Sequence, residues 1–183
     1  LTALLRAPLE QAMALLWARG VRPGKEAPNA ESLAMAEKIL RRVDKREALK
    51  LVIPTDFIGV PASGAEAQPA SYAAEGFPSD MRPVDIGEKT VGLFRGAVEQ
   101  SKTLFWCGSL GVGTDESFDR ATALIGKAIA RSDAYSVVGG PDSLAAIRKA
   151  GVAPFIHHLS GGGESSLSFI QGKSLPGLTA LSD

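Results

Sequence analysis

The chain of 183 residues carries 20 basic and 20 acidic side chains, so net charge gives no long-range pull toward nucleic acid or an anionic membrane. At 45% hydrophobic residues it is long enough to bury the core of one domain, residues 1–183, yet apolar runs such as MALLWA (Met13 to Ala18) fall short of the ~20 residues that cross a bilayer. The single cysteine, Cys107, excludes an internal disulfide framework and fits a reducing intracellular compartment, cytoplasm or organelle.

The chain opens at Leu1 rather than at methionine, which fits a processed, excised or partial polypeptide. Its first acid is Glu10, a trait shared with organelle-targeting segments. Leu9, Met13, Leu16 and Trp17 nevertheless recur at helical spacing, and one buried helix face explains them better. That helix runs Leu9 to Arg19 and stops at Gly20, with Pro23 and Gly24 beyond it. A second helix is expected from the N-cap Asn29 towards Arg46, its Lys38–Glu47 segment a solvated face of mixed charge. LKLVIP, Leu49 to Pro54, reads as a short buried strand. Between Val60 and Val84 the chain is dominated by Ala, Pro, Gly and Ser, and an irregular hairpin or a loop is expected there.

From Asp85 onward strands and helices alternate. Asp85 to Gln100 reads as a helix with Val91, Phe94 and Val98 on one face; Thr103 to Cys107 is a strand and Glu116 to Ser132 a helix. Ala134 to Gly140 is a strand, Asp142 to Gly151 a helix, Pro154 to Ser160 a strand and Glu164 to Gly172 a last helix. Short connections between these elements predict an α/β, three-layer, Rossmann-like domain with a mainly parallel sheet. Trp17 and Trp106 are expected in the core.

In a parallel sheet the turns that follow the strands share one edge, where ligands bind. Three successive strands here run into glycine: Cys107 to Gly113, Gly139 to Ser143 and Ser160 to Ser165. Glycine admits positive φ and close approach, and helix N-termini favour anions, so the three turns together predict a phosphate site. Asp142 has two readings, the N-cap of its helix or a Mg²⁺ ligand alongside phosphate. Gly161 to Gly163 form either a plain turn or part of the anion site, and Ser160, Ser165 and Ser166 either cap the last helix or join it. A thiol–imidazole pair between Cys107 and His157 or His158 is a weaker candidate, since adjacent strand residues face opposite sides.

The runs DIGEKTVGLF, AVEQSKTLFWCGSLGV, SDAYSVVGGPDSLAAIRKAGV and HHLSGGGESSLSFIQGKSLPGLTAL resemble, in order, the C-terminal nucleotide-binding domain of phosphoglycerate kinase. Nothing in the chain resembles the family's N-terminal phosphoglycerate-binding domain or its early glycine- and lysine-rich nucleotide segment. The resemblance implies phosphoryl transfer between 1,3-bisphosphoglycerate and MgADP in glycolysis. It implies contacts to Mg-ADP or Mg-ATP from Gly108, Gly111, Gly139, Gly140, Asp142 and Ser143, with Asp142 on the metal. Gly161, Gly162 and Gly163 would stabilise transition-state charge. Four positions depart from the family pattern: Cys107 and Ser109 in the Trp-Asn-Gly-Pro turn, Thr114 where a ribose-binding glutamate is expected, and Pro141 where a third glycine is expected. Glu164 adds a negative charge beside the last turn. These departures predict a catalytically degenerate domain with weak or absent nucleotide binding. Its role would be that of a structural subunit, packed through an incomplete sheet flank on another subunit or on the missing remainder of the chain. The alternative is a fragment of an active kinase.

Overall fold

A computed structural model describes residues 2–6, 9–45, 50–64, 68–112 and 119–181. The main sheet is parallel and is built from β1 (Thr2–Arg6), β5 (Thr103–Cys107), β6 (Tyr135–Gly139) and β7 (His158–Ser160), in that spatial order. A second, antiparallel sheet has the order β3 (Ala70–Ala73), β2 (Asp56–Pro61), β4 (Met81–Ile86). The helices are α1 (Leu9–Ala18), α2 (Ala30–Val43), α3 (Glu88–Glu99), α4 (Arg120–Arg131), α5 (Pro141–Lys149), α6 (Glu164–Ile170) and α7 (Pro176–Thr179). This is the Rossmann-like α/β class expected. Among the described residues no helix is long and apolar enough to cross a membrane.

Strands β5 and β6 form where expected, because their alternate residues Leu104, Trp106, Ser136 and Val138 all face the interior. Trp106 lies at the centre of a core that also holds Ile125, Ile129 and Ile147, each fully buried. Val91, Phe94 and Val98 do form the buried face of α3. Asn29 does cap α2, its side-chain oxygen accepting Ser32 N–H at 2.8 Å. Trp17 is only half-buried, with the Arg22 guanidinium 5.2 Å above its ring.

Three expectations need correction, and one pair of alternatives is decided. Residues 50–54 form no strand: Ile53 joins the core, but the segment crosses it without ladder partners and Pro54 ends it. Leu49 lies outside the described residues. The strand formed instead is β2, two residues on. Of the two alternatives for Val60 to Val84, the described residues form the hairpin: β3 and β4 both pair with β2, and Gly59 leaves room for the rings of Tyr72 and Phe77. Asp85 does not open α3; it ends inside β4, and α3 starts three residues later. Finally, Thr2–Arg6 is a strand paired along its full length with β5, so part of the sheet flank expected to be missing is supplied by this chain. Ala, Leu and Arg in Thr-Ala-Leu-Leu-Arg favour a helix over a strand, and pairing with β5 overrides that propensity.

Candidate functional site

Strands β5, β6 and β7 are adjacent and parallel, with Cys107 level with Gly139 and Gly139 level with Ser160. Their three following turns therefore meet. A Cβ added to Gly140 would lie 3.4 Å from Cys107 Sγ and 3.6 Å from Gly163 Cα, and one added to Gly139 would lie 3.2 Å from the Gly162 carbonyl oxygen. The approach to the Gly162 carbonyl is tight enough to favour glycine at 139, whereas the contacts at Gly140 are ordinary van der Waals distances. Gly108 and Gly140 also take φ of +100° and +93°, values that side chains rarely tolerate.

Between the turns is an open cleft of about 230 Å³, lined by Cys107, Gly108, Gly140, Pro141, Asp142, Ser143, Gly163, Glu164 and Leu167. Cavities that take a whole drug-sized ligand run to ~300–1,000 Å³, so this one suits a phosphate group rather than an entire nucleotide. Gly139, Gly161 and Gly162 flank the cleft without lining it. Gly111 is buried and its carbonyl accepts from the Ser109 hydroxyl at 3.1 Å, and neither residue lines the cleft. Thr114, with Asp115, lies outside the described residues. Pro141 is the first residue of α5, where no intrahelical bond is lost and its fixed φ suits the helix. Gly140, not Pro141, carries the positive φ of that turn.

The backbone donors of the turns are partly committed. Gly108 N–H donates to Ser143 Oγ at 2.7 Å, Gly140 N–H to the Ser160 carbonyl at 3.2 Å, and Gly162 N–H to Ser160 Oγ at 3.3 Å. Ser166 Oγ donates to the Gly162 carbonyl and meets Ser160 Oγ at 2.9 Å, so these serines brace the last turn from within. Asp142 is exposed at the start of α5, ahead of the first intrahelical bond, Leu144 N–H to the Gly140 carbonyl. No side-chain cap bond forms at that helix, so Asp142 does not serve as its N-cap.

The turn after β5 is stitched to its surroundings. Leu110 N–H donates to Thr122 Oγ1 at 3.0 Å and Val112 N–H to the Val84 carbonyl at 2.8 Å. Two buried carboxylates hold the helices around it. Asp56, from β2, accepts Thr90 N–H at 2.8 Å and Lys89 N–H at 3.1 Å at the start of α3. Asp85, from β4, accepts Ala121 N–H at 3.0 Å at the start of α4, and Ile86 N–H at 2.8 Å. Burial raises the Asp85 pKa to about 6, against the opposing pull of those two bonds. Neither aspartate is a candidate from sequence, because the helix that each one caps lies more than thirty residues downstream.

The thiol–imidazole pair does not form. His157 Nδ1 sits 3.1 Å from Ser136 Oγ and its ring lies 4.9 Å from that of Tyr135, at the start of β6, whereas Cys107 closes the far end of β5. His158 is exposed two residues before the end of β7. Among the described residues no three His, Cys, Asp or Glu side chains gather as a metal site.

The phosphoglycerate kinase family profile matches residues 10–173. The chain belongs to the phosphoglycerate kinase family. It is 39% identical over 174 residues to phosphoglycerate kinase of Koribacter versatilis, covering 94% of this chain and 43% of that protein. With the enzyme of Chlorobium phaeobacteroides it shares 37% over 169 residues, 91% of this chain and 42% of the relative. Phosphoglycerate kinase from Coxiella burnetii superimposes on 98% of the chain with a TM-score of 0.86 at 28% identity, using 46% of its own length. The chain thus spans less than half the length of each of these three phosphoglycerate kinases.

Proposed function

We propose that this part of a phosphoglycerate kinase binds the phosphate groups of Mg-ADP or Mg-ATP in the cleft between its three glycine turns. The observation that carries this is the convergence of Gly108, Gly140 and Gly163, from three different strands, on one phosphate-sized cleft with Asp142 at its rim. Mg²⁺ binds through one or two carboxylates together with water and phosphate, so a lone Asp142 fits it without a preformed cage. Bound there, Mg²⁺ would neutralise charge on the phosphates. Gly161 to Gly163 are proposed to stabilise charge on a transferring phosphoryl group, and Ser143 and Gly139 to support the phosphate turn. Phosphoryl transfer from 1,3-bisphosphoglycerate would require polypeptide beyond these 183 residues to hold the phosphoglycerate.

A second proposal is that the domain is catalytically degenerate and serves as a structural subunit. Three turn N–H groups are already used inside the protein, Pro141 lacks one, and Glu164 lines the cleft with a carboxylate. Each lost charge-assisted bond weakens affinity by about 1.5–3 kcal/mol, and phosphoryl transfer rests almost wholly on positioning and electrostatics.

Calorimetric titration with MgADP, of the wild-type chain and of Asp142→Ala, separates the two. Phosphate binding predicts saturable heat at micromolar to submillimolar nucleotide, weakened about tenfold or more by the substitution. A folded chain that releases no heat up to millimolar MgADP overturns nucleotide binding and leaves the structural role.

A further inference from the structure

Gly108 is held from both sides by side chains that are fully buried. Its N–H donates to Ser143 Oγ of α5 at 2.7 Å, and its carbonyl accepts from Trp106 Nε1 of β5 at 2.7 Å. Between these two bonds sits the φ of +100° that only glycine takes readily. We infer that Trp106 and Ser143 are positioning residues, a two-sided clamp that sets the Gly108 turn and ties it to the start of α5 before any ligand arrives. The inference rests on the proposed phosphate site and says how that site is kept in shape.

One bond fixes the peptide before the Gly108 α-carbon and the other fixes the peptide after it, so together they restrict both dihedrals. Glycine is the residue with most conformational freedom to lose, and a turn left free would have to be ordered at the moment of binding. Setting it during folding spares the ligand that cost, worth about tenfold in affinity for one residue. The clamp also couples two of the three turns. Gly108 and Gly140 follow different strands, and Ser143, on the first turn of the helix that Gly140 caps, reaches across to the other. Because Ser143 is fully buried, its hydroxyl acts on the cleft through Gly108.

The test combines amide exchange followed by NMR with MgADP titration, on the wild-type chain, Ser143→Ala, Ser143→Thr and Trp106→Phe. In the wild type the Gly108 amide is expected to be protected. Ser143→Ala is expected to speed its exchange at least tenfold, leave the Val138 amide of the neighbouring strand unchanged and weaken MgADP about tenfold. Ser143→Thr keeps the acceptor oxygen and restores both. Should threonine not fit the buried site, Trp106→Phe removes the donor to the carbonyl along with part of the buried ring, so its loss of affinity is read only with the Val138 amide still exchanging as in the wild type. A Gly108 amide that exchanges freely in the wild type overturns the clamp. So does a Ser143→Ala protein in which all amides speed up alike, or in which Gly108 opens without loss of affinity. If the exchange pattern appears but the wild type binds no MgADP, the clamp stands as a device of the turn and the nucleotide site falls.

Discussion

Asp85 shows most plainly how a residue's environment decides its behaviour. Its carboxylate is buried between β4 and α4, accepts two backbone N–H groups, and has Asp119 and Arg120 nearby as opposing charges. Burial outweighs the hydrogen bonds, and the pKa rises from 3.8 to about 6. The folded pKa therefore lies above the unfolded one, and the native state binds the extra proton between them. The stability that this proton contributes is fully present below about pH 3.8 and is lost as pH rises through about 6. Denaturant titrations of the wild type and of Asp85→Asn at pH 5 and pH 7 should show it. The wild type gains on the variant, by on the order of 2 kcal/mol at most, as the pH falls. An identical pH slope in both proteins would show that Asp85 does not titrate in this window. Sequence alone placed Asp85 at the start of α3, since an acid before an apolar-periodic run is a common helix signal. Its true partner, Ala121 N–H, is 36 residues away.

Helices α3 and α4 make no side-chain cap bond at their own N-cap residues, Gly87 and Asp119. Each is capped instead by a buried aspartate from the antiparallel sheet, Asp56 for α3 and Asp85 for α4. The hairpin sheet is thereby bonded to the helical layer that carries the β5 turn. Asp56 also accepts Thr90 Oγ1–H at 2.6 Å, while that oxygen accepts Thr55 N–H at 2.9 Å, closing a buried network around the start of α3. Removing a member of such a network leaves the others unpaired out of water. Asp56→Ala is expected to destabilise the fold by roughly 2–4 kcal/mol, read as a lower denaturant midpoint at unchanged slope. Gly87→Ala should act through the same network, because a Cβ at Gly87 would overlap the Asp56 carboxylate. A cost under about 0.5 kcal/mol for both, the level of an indifferent surface change, would mean that the network does not hold α3. Such long-range caps explain what was legible and what was not. Strands β5 and β6, bounded by glycine and rich in β-branched and aromatic residues, announce themselves locally, and so do the three glycine turns. The hairpin sheet is written in Ala, Pro, Gly and Ser, and its strands exist because Phe57, Tyr72 and Phe77 pack edge-to-face across Gly59. The Gly108 clamp was hidden for the same reason, since Ser143 is 35 residues from its partner.

Across the whole molecule, burial declines from the centre of the parallel sheet toward the end of the chain. Strands β5 and β6 and helix α4 meet in the core around Trp106, Val138 and Ile125. Helix α6 buries only Leu167, α7 buries nothing, and Phe169, Ile170, Leu178 and Leu181 are all more than half exposed. Local opening free energies follow buried apolar contact, so α6 and α7 should exchange their amides well before β5, β6 and α4. The gradient bears on the site, because its three turns rest on unequal supports. The Gly108 turn is bonded to Trp106, Ser143, Thr122 and Val84, whereas the Gly161–Gly163 turn leads directly into α6. A ligand that bridges all three turns must order the weakest, and its protection should appear there. Saturating MgADP is therefore expected to slow exchange in residues 164–170 more than in 143–149, where α5 already buries Ser143, Leu144 and Ile147. Slower exchange confined to α5 would mean that nucleotide touches only the Gly108 and Gly140 turns. The last glycine turn would then have no part in holding the phosphates.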